Sequence, residues 1–201
     1  MAQDNGQQNS RTLDTDFNLT HCTLNVKGLN NLNKRRKIFQ YCKQKKFDIV
    51  FLQETFITKS ILSSVDKDWN GLSLHAPSDS SHSRGVSILF RKVINPEIIN
   101  AHQSDDGRLL YANVKIKNEY FTLMNIYAPN NPSERKPFFN KCQKWLKENY
   151  TDINYLICSG DLNCVENRQD RTSRIIDINA ESLSKFKSSF NLQDIWRMKH
   201  P

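Results

Sequence analysis

Tyr155-Leu156-Ile157-Cys158-Ser159-Gly160-Asp161-Leu162-Asn163 runs from an apolar segment of strand length into an acid and an amide. A short continuous apolar run bounded by glycine reads as a buried β-strand. Ending that strand in Asp161 and Asn163 puts an acceptor and a donor at its C-terminal edge, where α/β sheets bind ligands. Taken alone, the same ending serves turn geometry equally well, because Gly and Asp both favour tight turns.

Other strand ends repeat the pattern. Asp48-Ile49-Val50-Phe51-Leu52 leads into Gln53-Glu54-Thr55, and Phe121-Thr122-Leu123-Met124-Asn125-Ile126 leads into Tyr127-Ala128-Pro129-Asn130. The alternating segment 19–26 carries Asn25 just before Lys27-Gly28-Leu29-Asn30. Four strands that each finish in polar groups would collect those groups along one edge of the sheets. An unpaired carboxylate at the end of a buried strand is costly, so Glu54 points to a ligand more than to scaffold. Asn25 and Asn163 could each cap a turn, and Tyr127 could anchor one; the constellation favours function for all three.

The intervening chain alternates strands and helices. A helix is predicted over 33–46, with Leu32, Ile38, Phe39 and Cys42 on its apolar side and Lys34-Arg35-Arg36-Lys37 on a solvated face. Strands are predicted over 72–75, 85–90, 109–116 and 120–127, the last two joined through Lys117-Asn118-Glu119 as a hairpin. Pro137 marks the start of a second helix bearing Phe138, Cys142, Trp145 and Leu146 at helical spacing. A last helix over 180–190 presents Leu183, Phe186 and Phe190 to the core. This order specifies an α/β fold with no repeat or linker to mark a second domain.

Composition bounds the rest. With 201 residues, 37% hydrophobic and 25% charged, the chain suits one globular domain, assigned to 18–201. Residues 1–17 are polar, lack the apolar centre of a secretory signal, and read as a disordered leader. No apolar run reaches membrane-spanning length, so no membrane is expected. Five cysteines without CxxC or zinc-like spacing argue against a disulfide framework and for an intracellular compartment, nucleus or cytoplasm. The net charge of +8 implies an anionic partner such as DNA, with simple solubility as the alternative. Arg168, Arg171 and Arg174 follow Asn163 directly and, with Lys27, are candidate DNA-backbone contacts. The chain is expected to be a monomer.

The segments Leu24 to Asn30, Gln53-Glu54-Thr55, Asn125 to Asn130 and Gly160-Asp161-Leu162-Asn163, in this order and spacing, resemble the endonuclease/exonuclease/phosphatase superfamily. Gly85-Val86-Ser87-Ile88-Leu89, Asp106-Gly107-Arg108 and Leu192-Gln193-Asp194-Ile195-Trp196-Arg197 match further family segments. Within the superfamily the chain is most similar to the apurinic-like endonuclease domain that opens the second reading frame of LINE-type non-LTR retrotransposons.

The resemblance implies a four-layer α/β sandwich of the DNase I type and Mg²⁺-dependent nicking of DNA, with Mn²⁺ as an alternative ion. It implies Glu54 as the metal carboxylate, with Asn25 in the second sphere or on the phosphate. Asp161 would orient and deprotonate water, Asn163 would donate to the developing oxyanion, and Tyr127 would bond the phosphate. Asp194 and Trp196 read as scaffold, Trp196 filling core space. Members of the family continue past this segment with strands that bring a catalytic His and its partner Asp. The chain ending at Pro201 is therefore expected to lack its last strands and to be impaired in catalysis. His200 matches an ordinary family position, and His21, His75, His82 and His102 default to structural or solvated roles. The alternatives are an inactive nucleic-acid-binding remnant and a phosphoesterase acting on a substrate other than nucleic acid.

Overall fold

The computed structural model describes residues 18–150, 155–170, 172–173 and 176–200; the expected leader, 1–17, lies outside them. β1 (His21–Asn25), α1 (Leu32–Gln44) and β2 (Ile49–Gln53) form the βαβ unit, followed by α2 (Leu62–Trp69), β3 (Ser73–Ala76) and β4 (Val86–Phe90). Next come β5 (Glu97–Gln103), β6 (Leu109–Ile116), β7 (Glu119–Tyr127), α3 (Pro132–Asn149) and β8 (Tyr155–Asp161). Helices α4 (Ala180–Ser188) and α5 (Ile195–Lys199) complete the described chain.

Two four-stranded sheets result, ordered β1-β2-β4-β3 and β5-β6-β7-β8. They face one another across a core that includes Phe51, Ile88 and Phe90 from the first sheet and Leu110, Val114 and Leu123 from the second. Outside the first sheet, α1 and α2 bury Phe39, Cys42, Val65 and Trp69 over Val50 and Leu52. Outside the second, α3 and α4 bury Phe139, Cys142, Leu146, Leu183 and Phe186 over Tyr111, Met124 and Ile126. The period of 2 along the strands separates the two interfaces: on β7, Leu123 and Tyr127 face the other sheet while Met124 and Ile126 face the helices. This is the expected four-layer sandwich.

Several elements differ from the sequence reading for identifiable reasons. α3 starts at Pro132, capped by Asn131, whose side chain accepts from the Ser133 N–H; Pro137 lies inside the helix. Arg35 is buried rather than solvated, its guanidinium bonding Asp68, Ser64 Oγ and the Leu29 carbonyl, whereas Leu32, assigned to the apolar side, is exposed. β8 is half-buried along its whole length because it forms the edge of its sheet. Trp196 is 70% exposed, set against His200 on the short α5 instead of in the core, while Asp194 does cap that helix through the Arg197 N–H. The five cysteines are free thiols. Among the described residues no helix is long and apolar enough to cross a membrane.

Candidate active site

Parallel pairing decides where the polar strand ends gather. Asn25 ends β1 opposite Gln53 on β2, and Asp161 ends β8 opposite Tyr127 on β7. Parallel neighbours finish on the same side, so each sheet delivers its polar termini to one edge. A buried network sets the two sheets against each other just beneath that edge. The Asn125 amide donates to the Leu52 and Ser87 carbonyls at 3.0 and 2.8 Å, and its oxygen accepts from Gln53 Nε2 at 2.7 Å. Asn125 is one pleat below Tyr127, and Gln53 directly precedes Glu54. The network therefore fixes the separation of those two side chains.

Asn25 joins the sheets at the surface. Its Nδ2 donates to Glu54 Oε1 at 2.9 Å and to Asp161 Oδ2 at 3.0 Å, using both hydrogens of the amide. Glu54 Oε1 also accepts from the Tyr127 hydroxyl at 3.0 Å, so this half-buried carboxylate is paired, not orphaned. Asp161 Oδ1 accepts the Asn163 backbone N–H at 3.1 Å. Burial first, and then the hydrogen bond to Glu54, push the Tyr127 phenol above its ordinary range, which keeps it a donor at neutral pH.

Four of the expected site residues, Asn25, Glu54, Tyr127 and Asp161, thus form one hydrogen-bonded cluster. Asn163 lies beside it, with its amide Nδ2 donating to the Ala128 carbonyl at 2.8 Å. An open groove of about 540 Å³ adjoins the cluster, lined by Thr23, Asn25, Gln53, Arg135, Asp161 and Asn163 among others. Lys27 is exposed at the rim, its N–H donating to Asn25 Oδ1 at 3.3 Å. Arg168 is exposed on a 3₁₀ turn, Arg168–Asp170; Arg171 and Arg174 lie outside the described residues. None of the five histidines hydrogen-bonds to the cluster among the described residues: His75 bridges Ser87 and Asp66, His102 packs on Trp145, and His200 packs on Trp196.

Sequence reasoning missed two neighbours of Tyr127. Asn130 Nδ2 reaches its hydroxyl at 3.4 Å, and the Arg108 guanidinium lies over its ring at 5.1 Å. Arg108 was legible as a motif position but not as a neighbour, since the pairing of 108 with 127 depends on the register of β6 and β7.

The chain aligns with known proteins over this framework. It is 30% identical over 184 residues, 91% of its length, to a Transposon TX1 uncharacterized 149 kDa protein of Xenopus laevis, of which it spans 14%. Among solved structures, the AP endonuclease LMAP from Leishmania major superposes with a TM-score of 0.67 at 18% identity, covering 95% of this chain and 73% of that one. An AP endonuclease from Archaeoglobus fulgidus gives 0.63 at 17%, covering 85% and 70%. D. rerio TDP2 complexed with single strand DNA product gives 0.58 at 21%, covering 82% and 64%. At these identities the structural likeness establishes the fold. The sequence profile of the Endonuclease/Exonuclease/phosphatase family matches residues 22–185, spanning both sheets and every member of the cluster, and the chain belongs to that family.

Proposed function

We propose that this chain is a Mg²⁺-dependent DNA endonuclease domain of retrotransposon type, cleaving phosphodiester bonds by hydrolysis. The observation that carries the reading is the Asn25 amide bridging two carboxylates from opposite sheets, with Tyr127 on the same Glu54 oxygen. The transposon protein matched along nearly the whole chain supports the retrotransposon assignment, and the net charge of +8 supports a polyanionic substrate.

The donor set fits a small hard cation. Among the described residues no cluster of three or more His, Cys, Asp or Glu is assembled. Mg²⁺ uses one or two carboxylates and retains water and phosphate oxygens as its remaining ligands, so Glu54 would hold it, with Asn25 fixing that carboxylate from behind. Bound there, the ion supplies charge neutralisation at the phosphate oxygens.

The chain's own residues supply the rest. Asp161 has both oxygens anchored, one by Asn25 Nδ2 and one by the Asn163 N–H, and each retains a lone pair. It takes the proton from an attacking water held in that fixed direction. Asn163 Nδ2 has a second hydrogen besides the one on the Ala128 carbonyl, and this donates to the developing oxyanion. Tyr127 has a single proton, so it serves Glu54 in the free protein and turns to a phosphate oxygen when substrate arrives. Lys27 and Arg168 contact the backbone on either side.

The test is conversion of supercoiled plasmid to nicked circles by the purified chain, with and without Mg²⁺, beside Asp161→Asn. Nicking that requires Mg²⁺ and disappears in the variant is expected. DNA that is bound but never cut, by protein shown to be folded, would refute the enzymatic reading and leave a nucleic-acid-binding domain.

A further inference from the structure

Helix α1 meets solvent with a face that carries cations and amides and no acid. Its sequence, Leu32 to Gln44, contains neither Asp nor Glu. With Arg35, Phe39 and Cys42 turned inward, the exposed arc holds Lys34, Arg36, Lys37 and Lys43, continued at the C-cap by Lys45 and beyond it by Lys46. Other helices pair their surface lysines at i,i+4: Lys144 faces Glu148 at 3.9 Å on α3, and Lys185 meets Glu181 at 2.5 Å on α4. The acid that α1 does meet, Asp68 on α2, is 12% exposed and already spent on arginine. Its Oδ2 accepts from Arg35 Nε and Nη2, and its Oδ1 from Arg36 Nε. Among the described residues, Lys37, Lys45 and Lys46 form no salt bridge. Solubility does not require this concentration of one sign, because interspersed charges of both signs serve it as well.

The same face is grooved and carries an aromatic ring. An open groove of about 580 Å³ runs between α1 and α2, lined by Arg36, Phe39, Gln40, Lys43, Gln44 and Asp68. Lys43 is held at its wall, Nζ resting 5.2 Å over the Trp69 ring and donating to the Asp68 carbonyl at 3.3 Å. Tyr41, one turn from Gln44, is 46% exposed. Its ring sits edge-on to Phe47 at 6.3 Å, and Lys45 Nζ lies 6.0 Å from its centroid. A cationic groove beside a steadied, accessible ring is the combination that tracks a phosphodiester backbone and stacks a base.

Placement says where such a strand would come from. Lys34 Nζ donates to the Lys27 carbonyl at 2.7 Å, which ties the first turn of α1 to the rim of the site. In a βαβ unit the helix runs back against its strands, so the basic face leads away from the cluster. At about 1.5 Å per residue it extends roughly 16 Å from Lys34 to Lys45, room for about four or five nucleotides at ~3.4 Å each. A duplex keeps its base faces stacked inside, out of reach of Tyr41.

We infer that the exposed face of α1 is a track for single-stranded DNA leading away from the site, with Arg36, Lys37 and Lys45 on phosphates and Tyr41 stacked on a base. The track goes beyond the hydrolytic cluster and does not depend on cutting; the choice of DNA over RNA rests on the nuclease reading.

The experiment is anisotropy of a fluorescein-labelled oligodeoxythymidylate of about 20 nucleotides, longer than one such site, titrated in EDTA across a salt series. The chains compared are the wild type, Arg36→Gln/Lys37→Gln/Lys45→Gln, Tyr41→Ala, Tyr41→Phe and, as a matched charge loss on α3, Lys141→Gln/Lys144→Gln/Lys147→Gln. At ~0.7 per contact on a single strand, the α1 triple variant should lower the slope of log K against log salt by about 2, and the α3 variant should keep it. Tyr41→Ala should weaken binding roughly tenfold at unchanged slope, and Tyr41→Phe should bind as wild type. Should Tyr41→Ala fail to fold, the α1 triple variant, whose three positions are all exposed, carries the comparison. A wild-type slope in the α1 triple variant, or an equal loss in the α3 variant, would overturn the track. Tighter competition by a duplex or by oligouridylate than by unlabelled oligodeoxythymidylate would overturn the occupant. A chain that binds through α1 and never nicks plasmid would keep the track and refute only the nuclease reading.

Discussion

Replacing Asn125 by Leu should destabilise the fold by about 3–4 kcal/mol, on the basis of neutral hydrogen bonds worth ~0.5–1.5 kcal/mol each and a buried unpaired amide costing ~1–3 kcal/mol. Asn125 is fully buried and makes three bonds, to the Leu52 and Ser87 carbonyls and from Gln53 Nε2. Removing it forfeits those bonds and strands the Gln53 amide, which is 1% exposed; the apolar contacts of Leu return part of the loss. For a domain of this size the melting temperature should fall by roughly 6–16 °C. Urea unfolding with unchanged m-value reads the loss directly. Because Asn125 is the partner of Gln53, the Gln53→Leu/Asn125→Leu double variant should cost less than the sum of the singles by ~1 kcal/mol or more. A single-variant loss below ~1 kcal/mol, or strict additivity, would refute the claim that this network holds the sheets in register.

Gly160→Ala should be worse still: Gly160 has φ +145°, and a Cβ would stand 2.0 Å from the Ile126 carbonyl oxygen, so β8 cannot stay paired at the residue before Asp161. Soluble expression with a melting temperature near wild type would contradict it. Tyr127→Phe should leave stability within about 1 kcal/mol and lower the nicking rate by roughly 10²-fold, the scale of losing one transition-state donor; an unchanged rate would remove Tyr127 from the chemistry. Acid should destabilise in two stages. Burial lowers the ionisation of His75 against the pull of Asp66, so stability starts to fall below pH ~6.5, where the unfolded histidine takes up protons first. Burial works upward on Asp48, Asp68 and Asp177, but their hydrogen bonds and arginine partners Arg91, Arg35 and Arg135 outweigh it and hold all three below the ordinary carboxylate range. Their contribution is complete above pH ~4 and is lost as pH falls further, so urea midpoints should drop more steeply there; His75→Gln should shrink the first stage alone, the remainder coming from His21, whose ionisation is held down by burial and then by the charge of Lys199.

Strands with an apolar run and a polar terminus were legible because both signals are local. What they border was not. β8 reads as a fully buried strand from Tyr155-Leu156-Ile157-Cys158, yet a run with both faces apolar says nothing about whether a neighbour lies on each side in the sheet. β5 escaped notice because it is an edge strand exposed over most of its length, with Glu97, Asn100, His102 and Gln103 in place of an apolar alternation. α2 is short and entered through a 3₁₀ turn, Lys59–Ile61, without a side-chain cap, so it lacks the usual start signal. Arg35 was misplaced for a different reason: one member of a basic run can turn inward when a single acid, here Asp68, waits on the next helix.

The residue types of the site were legible; the device that assembles them is a backbone property no pattern reveals. Lys27, Glu54 and Asn163 have φ of +45°, +50° and +46°, each just beyond a strand end. A residue with a side chain in such a conformation costs of order 1–3 kcal/mol unless its surroundings impose it. Here they do. The Gly28 N–H donates to the Glu54 carbonyl at 2.6 Å and the Leu29 N–H to the Thr55 carbonyl at 2.8 Å, while the Asn163 N–H is held on Asp161. Each reversal stops the strand from continuing past the sheet edge and swings its last polar side chain toward the groove instead of along the ladder. The same three positions could have been glycines at less conformational cost. Glycine would give the turn but no carboxylate at 54 and no amide at 163, so the strain at these two positions is the consequence of asking one residue both to end a strand and to carry the chemistry.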